Sequence, residues 1–169
     1  MNETSQDLDE LQQLLDRSIE QAGDYLRSCL EMPEHSLKAT QITRHLQGFR
    51  TAAVGTVTAK GEPRVAPVGF VFHRAQFHIP TVRNAARAKH IAKRPGISLS
   101  YYDGNDLAMI VHGRGTIVEP GMPVFEMLDR ALKEGTNGRG VLDWGDGIYI
   151  RIAADRFYTF ARYPERFAL

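Results

Sequence analysis

From Thr51 onward the chain is a succession of short β-branched and apolar segments separated by tight turn signals, and this punctuation narrows the possible folds more than any other feature. TAAVGTVT, the turn Lys60-Gly61-Glu62-Pro63 and RVAPVGFVF read as a β-hairpin. A turn at His73-Arg74 leads into QFHIP, and ISLSYY, LAMIVHGRGTIVE, IYIRIA and RFYTFA follow, with turns at Asp103-Gly104-Asn105-Asp106 and Pro120-Gly121. Strands this close together predict a small antiparallel barrel: four or five strands with one short helix inserted at Asn84 to Lys93, a second helix at Val124 to Lys133, then two closing strands. RVAPVGFVF is apolar on both faces, as expected of a strand covered on its outer side by a subunit or a ligand. Pro67 within it suggests a bulge or a lapse in pairing.

Ahead of the barrel the texture is helical. Leu8, Leu11, Leu15, Ile19, Ala22, Leu26 and Cys29 recur at steps of three and four, one face of an amphipathic helix opened by Thr4 or Ser5, and Pro33 ends it. The opposite face carries Asp7, Asp9, Glu10, Asp16, Glu20 and Asp24. The apolar face is expected to pack on the barrel with the acids in solvent; the alternative is that the carboxylates cover a basic surface elsewhere in the chain. Ser36 is expected to cap a second short helix with Ile42 and Leu46 inward and Gly48 at its close. The division is thus a helical extension over residues 1–35 and a barrel domain over residues 36–169.

Several function classes are disfavoured at once. The net charge is +1, which argues against nucleic-acid binding through a broad cationic surface, and no aromatic ladder is interleaved with the cations. Cys29 is the single cysteine, so no intramolecular disulfide and no thiolate metal cluster can form within one chain, and a cytoplasmic location is expected. No run approaches the roughly 20 apolar residues that span a bilayer. The six histidines show no pair at ligand spacing on one helix face, so no metal is expected; His73 and His78, five apart, are expected on opposite faces. No serine sits in a strand-turn-helix elbow, and no catalytic acid, base or nucleophile stands out.

Charge is distributed unevenly. Between Pro63 and Tyr102 stand Arg64, Arg74, Arg83, Arg87, Lys89, Lys93 and Arg94 and not one Asp or Glu. At the centre, HIPTVRNAARAKHIAKRPG passes from a strand end at Thr81 into a basic helix, and a helix start beside Thr and Arg suits a phosphate or carboxylate ligand. A solvated basic helix face is the alternative. A guanidinium at Arg87 has the geometry for bidentate phosphate contact, and Arg83 is expected one helical turn earlier on the same face.

TAAVGTVTAKGEPRVAPVGFVF, FHIPT and RAKHIAKRPGISLSYY together resemble the core of the pyridoxamine 5'-phosphate oxidase-like FMN-binding split β-barrels, over about Thr51 to Val118. The phosphate-binding rhythm of that family is a Thr at a strand end, a cation six residues on and a Pro fourteen on, and it is met by Thr81, Arg87 and Pro95. The resemblance implies a mainly β (α+β) fold, an antiparallel split β-barrel with short inserted helices behind an N-terminal helical extension. It implies a homodimer with each flavin in a groove between subunits, a small-molecule substrate, and no nucleic-acid or membrane partner. The ring would lie along Val65, Ala66, Pro67 and Val68 with Ile79 and Pro80 beneath it, and the phosphate near Thr81 and Arg87, with Arg83 as auxiliary cation and Arg64 as a further cofactor-binding residue. Ala85 and Ala86 stand where the oxidases proper carry Ser and Arg, and Gly69 where their second strand ends in Lys. PRVAPVGF is accordingly closer to the branch that includes reductases using FMN or the deazaflavin coenzyme (F420). The implied function is an FMN- or deazaflavin-dependent oxidoreductase; the rival is a non-enzymatic flavin- or haem-binding barrel.

Overall fold

In a computed structural model, which describes residues 3–167, the strands form at β1 (Phe49–Val57), β2 (Pro63–His73), β3 (Gln76–Val82), β4 (Gly96–Asp103), β5 (Leu107–Val118) and β6 (Gly147–Ala161). They close into an antiparallel barrel in the order β1-β2-β3-β6-β5-β4. The helices are α1 (Ser5–Glu20), α2 (Asp24–Cys29), α3 (Ala39–His45), α4 (Ala86–Lys93) and α5 (Phe125–Gly135). Alternation does what a period of two requires. On β2, Val68, Phe70 and Phe72 fill the barrel with Phe77, Ile79, Leu99, Met109, Ile150 and Phe157, while Val65 and Pro67 face outward.

Two seams of the barrel are short. β1 meets β4 over Ala53–Gly55, and β2 meets β3 over Val71–His73, whereas β1 and β2 pair from Phe49–Val71 through Val57–Pro63. The tip of the β1–β2 hairpin therefore stands away from its neighbours, and α4 sits in the opening with Ala88 and Ile91 buried. Pro67 forms no bulge: it lies in unbroken register opposite Ala53, on the stretch of β2 beyond the β3 seam.

The closing segment is one strand rather than two. β6 runs unbroken from Gly147 to Ala161, and the shift in its register with β5, His112 opposite Arg156 but Gly113 opposite Ala154, leaves Asp155 as an extra residue. The segment between IYIRIA and RFYTFA, expected to divide two strands, is in the sheet a bulge that bends one long strand around the barrel.

The N-terminal region also differs from its expectation. Thr4 caps α1, its hydroxyl accepting from the Asp7 N–H while Asp7 accepts from the Thr4 N–H. The apolar face, expected as one helix, is broken after Glu20, and α2 follows with Cys29 exposed. Leu11 and Leu15 enter the barrel's core cluster, and Ile19 and Leu26 pack at the edge of a small cluster of Ala22, Met32 and Tyr158. Ser36 is not the cap of α3; that helix opens at Lys38, whose N–H is held by Gln41. Ile42 and Leu46 are buried as expected, and Gly48 takes a φ of 81°.

His73 and His78 lie on one face. The two-residue turn Arg74-Ala75, both at positive φ, places His73 opposite Gln76 and Val71 opposite His78, so the two imidazoles come within 6.3 Å of each other. Counting along a strand fails here because the chain reverses between them.

Candidate functional site

β3 ends at Val82, a turn through Arg83 and Asn84 is closed by the Ala85 N–H donating to the Val82 carbonyl, and α4 starts at Ala86. Ala85 supplies no side-chain cap, so the first-turn N–H groups of α4 have no such acceptor. Directly beneath, the Arg87 guanidinium donates to the buried Thr81 hydroxyl at 3.0 Å. Across the opening, β1 brings Thr56, whose Oγ1 lies 2.9 Å from Nδ1 of His90. β2 brings Arg64, which is paired at the surface with Glu62 at 2.8 Å.

These parts surround a cavity of about 130 Å³ lined by Val54, Thr56, Arg64, Val65, Ala66, Ala85, Ala86, Arg87 and His90. No carboxylate lines it. Its volume is well below the roughly 300–1,000 Å³ of sites that enclose whole small molecules, so it suits one anionic group of a larger ligand. Larger cavities of about 630 and 310 Å³ lie beside His73; the first mixes Arg74 and Arg130 with Glu134, the second carries Glu3 and Glu134 with no Arg or Lys, and neither shares a residue with this one. Among the described residues no group of three His, Cys, Asp or Glu side chains could hold a metal ion. No described helix is long and apolar enough to cross a membrane.

The sequence-derived residues separate into three sets. Thr81, Arg87, Arg64, Val65 and Ala66 come together at the cavity. Val68, Ile79 and Pro80 are buried, Val68 and Ile79 in the barrel core; Pro67 is exposed on the outer face of β2. Arg83 is turned away from the phosphate position. It lies before α4 rather than on it, and its guanidinium is clasped by both carboxylate oxygens of Glu119 and by Asp146 at 3.3 Å. Those hydrogen bonds hold its charge more firmly than in a free arginine. Gly69 is covered by the Phe49 ring, which lies 2.0 Å from where a Cβ would stand, so no side chain fits at that point of β2 without displacing the ring.

Thr56 and His90 escaped the sequence reading. His90 follows Arg87 by three residues and so shares its helix face, a signal that was available. Thr56 carried none, because its place beside α4 depends on how the hairpin tip meets the helix.

Fold and site together define a split antiparallel barrel with a cation-lined, carboxylate-free cavity where a helix fills the split. Residues 39–142 match the sequence profile of pyridoxamine 5'-phosphate oxidase, and the chain belongs to that family. Solved structures share the fold at low identity. The haem storage protein HutZ from Vibrio cholerae is 18% identical over 72% of this chain and 92% of its own, with a TM-score of 0.60. An FAD-binding protein from Mesorhizobium loti is 17% identical over 73% and 93%, with a TM-score of 0.58. An F420 reductase is 19% identical over 66% and 91%, with a TM-score of 0.54. No curated protein sequence matches.

Proposed function

We propose that the protein is an oxidoreductase that binds FMN, or alternatively the deazaflavin coenzyme, between two copies of the chain. The observation that carries this reading is the acid-free cavity at the split, where Arg87 and Arg64 and the uncapped start of α4 converge on a volume the size of a phosphate group. The residues present fit the phosphate end of a flavin. A ring does not fit in the cavity and would extend along β2, where Val65 is 70% exposed and Pro67 is exposed beside it. A second copy covering that face would supply the dry wall a tricyclic ring requires.

When bound, the flavin supplies the hydride chemistry. The chain's own part is to hold the phosphate through Arg87, to fix Arg87 through Thr81, and to keep water from one side of the ring with Val65 and Ala66. The mixed cofactors of the structural neighbours, haem, FAD and F420, make a carrier barrel the second reading, and Ala85 and Ala86 favour it by leaving the cavity without polar side chains at two positions.

The absorption spectrum of the purified protein, with the released chromophore identified by mass, tests the reading. FMN or deazaflavin supports the flavin site, and reduction or reoxidation of that chromophore on turnover separates the oxidoreductase from a flavin carrier; haem supports the carrier. Arg87→Ala is expected to weaken FMN binding by about 2 kcal/mol, roughly thirtyfold, because it removes a charge-assisted contact while the helix start remains. Equal affinities would move the phosphate elsewhere.

A further inference from the structure

The cavity contains a histidine that the phosphate rhythm of the sequence does not mark. His90 projects from α4 into the same space as Arg87 and Arg64, and its ring is tied to the opposite wall: Nδ1 lies 2.9 Å from the hydroxyl of Thr56, which is 4% exposed. Nε2 has no hydrogen-bond partner among the described residues. When the Thr56 hydroxyl donates to Nδ1, the neutral ring carries its proton on Nε2, and the free nitrogen is a donor. A neutral ring of the opposite tautomer would present a lone pair, which an anion disfavours. The Thr56 hydroxyl can donate or accept and so accommodates the Nε2–H tautomer, which an anion at Nε2 would favour, while holding the ring in place.

We propose that His90 is a third contact to the cofactor phosphate, with Nε2–H donating to a phosphate oxygen and Thr56 as its positioning residue. Arg87 from the first turn of α4 and His90 one turn on approach the cavity as two donors free of carboxylate partners, with Arg64, paired with Glu62, at the β2 rim. Riboflavin, which lacks the phosphate, gains nothing from them. This inference rests on the flavin reading above.

The test is a titration of the apoprotein with FMN and, in parallel, with riboflavin, followed by flavin fluorescence at one pH, for wild type, Arg87→Ala, His90→Ala, His90→Gln, Thr56→Val and Thr56→Ser. His90→Ala is expected to weaken FMN about tenfold and leave riboflavin unchanged. His90→Gln, which keeps a donor, should recover part of the loss. Thr56→Val should weaken FMN several-fold and Thr56→Ser restore it. With FMN bound, the 15N shifts of the His90 ring should report a protonated Nε2; an unprotonated Nε2 in the complex would overturn the contact. If Arg87→Ala loses FMN while His90→Ala does not, the role of His90 is overturned and the flavin site stands. If neither loses it, the site reading itself fails. Equal losses of FMN and riboflavin in His90→Ala would also overturn the proposal, as they would point to the ring or the fold rather than the phosphate.

Discussion

Arg83 and Arg87 are four residues apart in a basic stretch, yet tertiary partners give them unrelated roles. Arg87 is held by a neutral hydroxyl and keeps its charge for a ligand, whereas Arg83 is already engaged by Glu119 and Asp146, which the chain brings from beyond β5 and from before β6. Arg83→Ala is therefore expected to leave FMN affinity within about twofold of wild type and to change stability little, since exposed ion pairs are screened by solvent. Isothermal titration and denaturant unfolding would check both, and a large loss of FMN affinity would return Arg83 to the phosphate site. The buried histidines carry a pH signature of a different kind. Burial pushes His78 down to about 3, with the neighbouring His73 adding to the shift, and burial also lowers His73. An unfolded chain takes up these protons below about pH 6.5. The contribution of neutral His78 is then fully present above 6.5 and lost as pH falls from there towards 3, by roughly 2 kcal/mol at pH 5 for that residue alone. Urea midpoints measured between pH 7 and pH 5 should fall in wild type and fall less in His78→Leu. Parallel pH profiles would show that His78 is not held neutral.

β6 shows how one element sets the position of others. Its first half pairs with β3, Gly147 to Ile152, but beyond the bulge that edge has no strand beside it. The N-terminal region covers it instead: Phe157 N–H donates to the buried Ser18 hydroxyl at 3.0 Å, Leu37 N–H donates to Thr159 Oγ1 at 2.8 Å, and Ala161 N–H donates to the His35 carbonyl at 2.8 Å. Capping an open sheet edge in this way prevents it from templating further pairing. The bulge itself depends on Gly113, where a Cβ would stand 2.1 Å from the Ala153 carbonyl oxygen. The clashing atom is backbone on a paired strand and has no free direction to move. Gly113→Ala is expected to cost about 2–3 kcal/mol, as other overpacking does, with a lower thermal midpoint and FMN affinity little changed if the protein remains folded. A stability equal to wild type would mean that the bulge relocates.

For the molecule as a whole, the carboxylate-free cavity in a single chain encloses too little space for a flavin, and β2 presents Val65 and Pro67 outward beside it. Soluble chains seldom leave such a wall uncovered, and the flavin reading needs it covered. Light scattering at micromolar concentration is expected to report two chains. A monomer that still binds FMN would remove the groove between copies and leave the ring exposed on one barrel.

The amino-acid sequence was enough to determine the mainly β character, the β1–β2 hairpin, the basic helix after Thr81 and the placing of Thr81 with Arg87, because each rests on contacts between residues a few positions apart, where period, turn residues and capping act. It also reached the family, since strand, phosphate rhythm and helix recur there in fixed order. What it left open depends on where the chain returns to itself. The hairpin reversal put His73 and His78 on one face, and the bulge at Asp155 made one strand of two. Glu119 and Asp146 arrived from distant segments to engage Arg83, and the short β1–β4 and β2–β3 seams opened the gap in which Thr56 meets His90. Apart from the two-residue turn that sets His73 beside His78, those pairings cross tens of residues, and no local propensity encodes them; they follow from the register and closure of the barrel, which only the packed tertiary structure decides.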